Sequence, residues 1–548
     1  MISTTHSFFK KNYRFFEFPL IVISIIAISP FISSTKFFDP YTTMKWLFIL
    51  LSVNGLLFIF LHQKQYLIIP TIPKHSFNVL LIIFFLSLVN IYLHNIFIFS
   101  FENMRRTIFW GLSIFFFNLF FLEKDKLFNN ILNAIHCIAF LFLLCSYFFY
   151  VSLPNNFLHF TFGNIAHSAE YVGLCTALQF GSLTHLWKKN KKSLFLNILS
   201  ASSLAYIFLS HSRATAIGTI FILLAAVALN KKNLKEIAKI LLFSAVFILL
   251  INSLKSYMNP VESAPFIAKD YTERWLLYIS TLKMIFENPL GVGVGQYEFA
   301  SIPYLKSVSE FNESTIFSTP HNDFLHILAE DGIILSLFLF YFLLSLIYFL
   351  WNEIKRIFYS YPEFIYFSLI LLPLATFQFP LANPFPYLMS SMMIGYFFAL
   401  RTEEYFNFQL TKKLKLVLVG VNLIAALSFV STFGAKYVAY NFPKDQFANK
   451  VACSIGNRNW LSCLNVASSY LDEKEYEKAE TYVLRTLNWQ PLNYQSIRML
   501  GFISLYKGNT KKACELFKAY SLLFREPTLV GPVIEEKCIN QKLNNINL

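Results

Sequence analysis

The sequence predicts an all-α polytopic membrane protein, with about 12–13 transmembrane helices, one large extramembrane loop and a C-terminal tail of α-helical repeats. Three observations carry this. Only 14% of the 548 residues are charged, while 56% are hydrophobic and 18% aromatic; soluble domains carry about 25% charged residues. The 64 Phe residues suit lipid-facing helices and are too many for a soluble surface. Uncharged runs, each near the roughly 20 residues that span a bilayer, follow one another along the chain. Composition excludes a disordered chain, a coiled coil and a soluble multidomain enzyme.

The runs lie at about 19–35, 46–61, 76–98, 107–122, 128–152, 168–187, 193–210, 214–230, 238–254, 332–351, 364–379, 385–400 and 416–434. The first, Pro19–Ser34, follows a basic flank and has no small-residue cleavage site, so it is expected to be a helix rather than a cleaved leader. Pro154-Asn155-Asn156 ends the fifth, and Pro380, Pro384 and Pro386 divide the stretch 364–400.

The net charge of +15 is expected to be cytoplasmic anchoring charge. With the N-terminus inside, the inner loops hold Lys10, Lys11 and Arg14, then Lys64 and Lys74, then Lys124 and Lys126. Next come Lys188, Lys189, Lys191 and Lys192, then Lys231, Lys232 and Lys235, then Lys355 and Arg356, and finally Arg401, Lys412, Lys413 and Lys415. The short outer loops hold only Lys36, Lys45, Arg105, Arg106 and Arg213. This alternation follows the positive-inside rule, and an odd helix count puts the C-terminus outside. The domains are then residues 1–435 in the membrane, a loop 255–330 between helices nine and ten, and a tail 436–548, both soluble pieces on the outer side.

The tail repeats itself. Ala467, Tyr476-Glu477-Lys478-Ala479 and Val483 recur as Gly501, Thr510-Lys511-Lys512-Ala513 and Phe517, all at an offset of 34 residues. That period resembles a tetratricopeptide repeat, serving as a partner platform or as a stabilising appendage. The seven cysteines show no CxxC spacing, so neither a zinc site nor a redox motif follows. Cys453, Cys463, Cys514 and Cys538 lie in the tail, where three full pairings are open.

Few ionisable residues fall within the spans: His94, His136, Glu170 and His185. Unusual polar residues gather instead at outer helix ends, which favours an interfacial reaction site over a channel. In Ser210-His211-Ser212-Arg213-Ala214, the planar fork of Arg213 suits a phosphate, although an arginine there also snorkels to headgroups. Residues 271–288 carry Trp275, Ile279, Leu282, Ile285 and Phe286 at helical spacing, an amphipathic helix lying on the membrane or over a cleft, with Arg274 in its first turn. Pro289-Leu290-Gly291-Val292-Gly293-Val294-Gly295-Gln296 has no preceding strand and no GK[ST], so it reads as a tight irregular turn with close backbone approach rather than a phosphate loop. In Thr319-Pro320-His321-Asn322-Asp323, Thr319 is expected as N-cap, Pro320 at N1 and His321 at N2, where the helix dipole favours a neutral imidazole that can act as a base.

Together these residues resemble the O-antigen ligase and polymerase superfamily. Arg274-Trp275, Asn288-Pro289-Leu290-Gly291-Val292-Gly293, His321-Asn322, Leu325 and Glu330-Asp331-Gly332 follow its pattern, and Ser212-Arg213-Ala214 resembles its upstream Ser-Arg motif. Gly163-Asn164 resembles a further motif, although Asn164-Ile165-Ala166-His167 departs from the usual Asn-Pro-Asn. The resemblance spans about residues 160–400 and implies a metal-independent glycosyltransferase with no cofactor on the outer face of a bacterial inner membrane. Its donor would be an undecaprenyl-diphosphate-linked glycan, and its acceptor lipid A-core or a protein hydroxyl. It implies that Arg213 and Arg274 neutralise the diphosphate and that His321 takes the acceptor proton. Asn322, Arg105 and Arg106 join them as candidate substrate-binding residues, the two arginines on topology alone. A polymerase extending the lipid-linked glycan is the alternative, and a lipid-linked glycan transporter or a scaffold is the reading from another class. A protein partner through the repeats is expected, and no nucleic acid.

Overall fold

The structure is a computed structural model of the chain. It describes residues 42–63, 66–70, 74–94, 101–122, 124–153, 165–258, 270–306, 319–349, 360–378, 380–401, 405–455, 459–491 and 493–523, with isolated positions at 25, 29–31, 317, 351, 356 and 538. Most of the first apolar run, the basic N-terminal cluster, Gly163-Asn164 and residues 259–269 lie outside the described residues.

Helices stand at every expected run from 46–61 onward. They are α1 (Thr42–Gln63), α2 (Lys74–Leu93), α3 (Phe101–Leu122), α4 (Lys124–Ser152), α5 (Ile165–Lys188), α6 (Leu194–Leu209), α7 (Arg213–Leu229) and α8 (Leu234–Met258). The large loop contributes α9 (Asp270–Glu287), α10 (Tyr297–Ala300) and α11 (Ile302–Lys306). Then follow α12 (Asp323–Phe349), α13 (Glu363–Phe377), α14 (Pro384–Arg401) and α15 (Lys412–Asn441). By length and composition alone, four segments suffice to cross a bilayer: Lys126–Ser152, Lys231–Met258, Asp323–Ser345 and Lys412–Asn441. Shorter apolar helices such as Leu194–Leu209 and Arg213–Leu229 lie among them. The chain is an all-α polytopic membrane protein.

Its helices are apolar on both sides, as the bilayer demands. Inward, aromatic side chains such as Phe115, Phe120, Phe142, Tyr171 and Tyr396 fill the core. Outward, Phe84, Phe148, Leu249 and Leu416 are all more than 60% exposed, which is affordable only against lipid. Helices α5, α7 and α13 pack tightly because Gly173 and Gly218 leave room for Ile370; a Cβ on Gly218 would stand 2.4 Å from its Cδ1.

One end of the bundle gathers the lysine-rich connections. There Glu236 accepts from Lys192 at 3.0 Å and Lys239 at 3.2 Å. Tyr66–Pro70 (β1) and Tyr405–Gln409 (β2) also pair antiparallel, Tyr66 opposite Gln409. Asn118 mimics a third strand by bonding both the N–H and the carbonyl of Ile68. The all-α expectation missed this ribbon because each strand is only five residues long, too short for a period to register.

The tail continues as α16 (Gln446–Ile455), α17 (Trp460–Asp472), α18 (Tyr476–Trp489), α19 (Tyr494–Tyr506) and α20 (Thr510–Leu523). The hairpins α17–α18 and α19–α20 start 34 residues apart, as do their contact residues. Ala467, Ala479, Val483, Ala513 and Phe517 are fully buried, and a Cβ on Gly501 would meet the Phe517 ring at 2.5 Å. Cys453 is bonded to Cys463 and Cys514 to Cys538, one of the three pairings left open by the sequence.

The tail rests on the large loop. The ring of Phe299 lies edge-on to Trp460 at 6.0 Å, and Gln296 Nε2 donates to the Trp489 carbonyl at 3.5 Å. Below, Ser462 and Asn465 donate to the carbonyls of Ala435 and Ala439 at the end of α15. Glu298 sits in this joint, where burial pushes its carboxyl up against the opposing pull of Lys436.

Candidate active site

The end of the bundle that faces the tail collects the polar residues. Its centre is the connection from α13 to α14, residues 377–383, gripped from three directions. From α9, Arg274 Nη1 donates to the Phe377 carbonyl at 3.2 Å. One turn later, Tyr278 donates to the carbonyls of Thr376 at 3.5 Å and of His321 at 3.3 Å. Burial raises the Tyr278 hydroxyl while the Arg274 charge opposes it. From the start of α7, Ser212 Oγ accepts from Gln378 Nε2 at 3.2 Å. From the start of α12, Asp323 Oδ2 accepts from the Leu381 backbone N–H at 3.2 Å. Arg213 follows Ser212 directly and is exposed.

Arg274, the residue preceding Arg213 and the backbone carbonyl of His321 therefore meet around this connection, from elements more than a hundred residues apart in places. Arg105 and Arg106 fall in the first turns of α3, but their side chains lie outside the described residues.

The expected capping at 319–322 needs correction. Helix α12 begins at Asp323, and its cap is Asn322, whose Oδ1 accepts from the Leu325 N–H at 3.0 Å. His321 is not at N2: it precedes the cap with a φ of 53°. The Asn322 side chain, expected to touch substrate, is buried and engaged as this cap. The physical reason is competition between caps, because Asn satisfies the same orphan N–H groups as Thr and sits closer to the helix. Among the described residues His211, two before Arg213, also has a φ of 53°. Left-handed backbone at a β-carbon-bearing residue costs energy and collects at functional sites.

The apolar stripe of α9 turns outward. Trp275 is 65% and Phe286 73% exposed, while Leu277, Met284 and Thr281 are buried and Thr281 Oγ1 lies 2.7 Å from the Tyr297 hydroxyl. The helix thus offers lipid its apolar face and the loop its mixed face.

The glycine turn is the close approach that the sequence suggests. Val292 and Gly293 donate to the carbonyls of Ala329 and Glu330, and Ile333 donates to that of Pro289. Helix α12 breaks at Gly332 (φ 82°, ψ 167°), and a Cβ there would lie 2.3 Å from the Leu290 carbonyl carbon. Glu330 completes the clasp, its Oε1 accepting from Gly295 N–H at 2.8 Å and standing 3.1 Å from His326 Nε2.

Sequence reasoning missed Tyr278, Gln378 and Asn383. The last donates through Nδ2 to Glu170 Oε2 at 2.5 Å and contacts His167 Nδ1 at 2.9 Å. The proline-rich break at 380–386 was the available signal, because such breaks at a span's end expose backbone and side-chain amides together.

The fold and this cluster define a polytopic membrane protein with polar residues gathered at one end of its bundle. Residues 198–340 match the family model described as O-antigen ligase, and this segment supports a likeness to the O-antigen ligase superfamily. The match runs from within α6 to Phe340 in α12 and so includes Arg213, Arg274, the glycine turn and His321. That match supports activity of the ligase or polymerase type, as of glycosyltransferase-like enzymes. No curated protein matches the chain.

Proposed function

We propose that the chain is a metal-independent glycosyltransferase that moves a glycan from an undecaprenyl-diphosphate donor to lipid A-core or to a protein hydroxyl, on the periplasmic face of a bacterial inner membrane. The observation that carries it is that Arg274 bonds the Phe377 carbonyl, Ser212, next to Arg213, bonds Gln378, and the His321 carbonyl shares Tyr278 with that of Thr376. Arg213 and Arg274 take the charge that grows on the diphosphate as the glycosyl C1–O bond breaks. His321 accepts the acceptor proton as the new C1–O bond forms. Arg105 and Arg106 lie at another helix end of the expected outer face and add positive potential.

Purified protein in detergent, given lipid-linked glycan and acceptor, is expected to transfer it, with EDTA without effect. His321→Ala should lower transfer by about 10²–10⁴-fold, the usual worth of a general base, at unchanged protein level. Transfer at the wild-type rate by a well-expressed His321→Ala chain removes His321 from the chemistry.

The two tail disulfides and the tail's seat beside the loop support a periplasmic C-terminus, because disulfides persist in oxidising compartments. The N-terminus is then cytoplasmic. A C-terminal phosphatase fusion should be active and a fluorescent-protein fusion dark; the opposite pattern means that one helix crosses differently. The tetratricopeptide-like tail supports a protein partner or acceptor. A polymerase shares every feature of this site, and product size in the same assay separates the two.

A further inference from the structure

The first helix of the tail carries an apolar face that no described residue covers. In α16, Phe447, Val451 and Ile455 fall at i, i+4 and i+8, on one side of the helix, and all three are exposed, Phe447 at 77%. The opposite side is fixed. Asn449, Ala452 and Cys453 are buried there, Asn449 Nδ2 donates to the Phe442 carbonyl at 2.6 Å, and Cys453 is bonded to Cys463. The helix therefore cannot roll to hide its stripe. Elsewhere in the tail, among the described residues, large exposed hydrophobic side chains stand singly, Leu484 in α18 and Tyr506 in α19. Single residues of that kind are ordinary, whereas a contiguous stripe marks a surface that something covers.

The level of α16 against the bilayer follows from α15. The stretch 416–435 of α15 is uncharged and lies between Lys415 and Lys436; about 20 residues are what the hydrocarbon layer takes. Leu416, Leu427 and Val430 are exposed along it, as lipid-facing residues are. Ala435 therefore stands at the hydrocarbon boundary, and 436–441 rise through the headgroup layer. Beside these last turns α16 runs back toward the bilayer. Asn465 Nδ2 joins Asn449 Oδ1 at 3.1 Å to the Ala439 carbonyl at 3.0 Å, so Asn449 is level with Ala439. Cys453 is bonded to Cys463, whose neighbour Ser462 donates to the Ala435 carbonyl at 3.3 Å. The Ile455 end thus returns to the level of Ala435. Lys444, exposed in the turn before the helix, and Tyr440, exposed near the end of α15, are residue types that sit among headgroups.

We propose that α16 is an interfacial helix, lying in the headgroup layer beside α15 with Phe447, Val451 and Ile455 in the acyl boundary, so that its partner is the phospholipid surface itself. The stripe lies at the depth where the lipid-exposed side of α15 ends, and a soluble partner at that depth would have to displace headgroups. The consequence reaches the loop. Helix α17, bonded to α16 through Cys453–Cys463, sets Trp460 against Phe299, so the bilayer steadies the tail and the tail steadies the loop. None of this depends on the transferase reading.

Photo-crosslinking of the full chain in liposomes of phosphatidylethanolamine and phosphatidylglycerol tests this. p-Benzoylphenylalanine replaces Phe447, Val451, Ile455, Leu416, Leu484 or Tyr506, one at a time. All six side chains are exposed, so the label displaces no buried group. After irradiation, peptide mass spectrometry should find phospholipid adducts at Phe447, Val451 and Ile455 within about threefold of the yield at Leu416, and about tenfold or more above that at Leu484 and Tyr506, as an apolar face sunk about 5–10 Å into the boundary requires. Crosslinks to a second copy of the chain, or to another segment of the same chain, in place of lipid adducts overturn the proposal in favour of a protein-covered face. Unreacted label at all three α16 positions overturns it in favour of a solvated face. Lipid adducts of equal yield at Leu484 and Tyr506 mean passing contact without insertion, and overturn it as well.

Discussion

Replacing Arg213 or Arg274 by Lys is expected to remove most transfer activity, and replacing either by Ala nearly all of it. The loss of one charge-assisted contact in a desolvated site is worth about 2–4 kcal/mol, or roughly 30- to 1000-fold in rate. Lys keeps the charge but not the two-pronged fork that matches phosphate oxygens. For Arg274 the structure adds a second reason. Its guanidinium already spends one N–H on the Phe377 carbonyl, so on the proposed reading it would hold the diphosphate while tethering α9 to the end of α13. A lysine ammonium at the end of a flexible stem does not hold both partners in a fixed plane. A snorkelling arginine behaves otherwise, since Lys serves equally well in the headgroup region. Initial rates of the purified variants with lipid-linked donor decide between them. Near wild-type turnover in both Arg213→Lys and Arg274→Lys would sink the diphosphate clamp.

Gly332→Ala and Gly291→Ala should each destabilise the protein by roughly 3–5 kcal/mol, combining left-handed backbone strain with overlap against a neighbouring main chain. Gly332 has a φ of 82°, and its Cβ would lie 2.6 Å from Gly291 N; Gly291 has a φ of 84°, and its Cβ would lie 2.4 Å from the Glu330 carbonyl oxygen. Both contacts are backbone, so no side chain can swing aside. Relief requires separating the glycine turn from α12, which breaks the three backbone bonds of Val292, Gly293 and Ile333 and moves the segment that carries His321. Gly434→Ala is the matched control. That glycine is exposed within α15 with nothing within 4 Å of a Cβ, so alanine should leave melting unchanged or raise it by about 0.5–1 kcal/mol of helix preference. Thermal unfolding in detergent, with transfer measured on what remains folded, checks all three. Equal melting of Gly332→Ala and Gly434→Ala would mean that the turn and the helix are not in contact.

What the sequence shows about the site depends on the range of the physics. The helix α9 was legible because Trp275, Ile279, Leu282 and Phe286 repeat at helical spacing, and the close approach at 289–296 because glycines cluster where no helix or strand accommodates them. The start of α12 was misplaced by three residues. Thr319 and Asn322 are both good caps, and choosing between them takes the surrounding contacts: Asp323 bonding Leu381 and Tyr278 bonding the His321 carbonyl. The outward turn of the α9 stripe was also beyond periodicity, which finds an apolar face without saying whether protein or lipid covers it.

By itself the sequence determined that this is an all-α membrane protein with a helical tail, and it singled out Arg213, Arg274 and His321, because hydropathy, charge placement and the 34-residue offset are local or periodic properties. Only the tertiary structure decided that residues 377–383 are the joint where those elements meet, and that His167, Glu170 and Asn383 form one hydrogen-bonded unit. It also decided which tail cysteines pair. The joint and the Asn383 unit depend on contacts between residues far apart in the chain, 216 positions for Asn383 and His167. Side-chain packing selects such contacts from many that an apolar pattern leaves equally open.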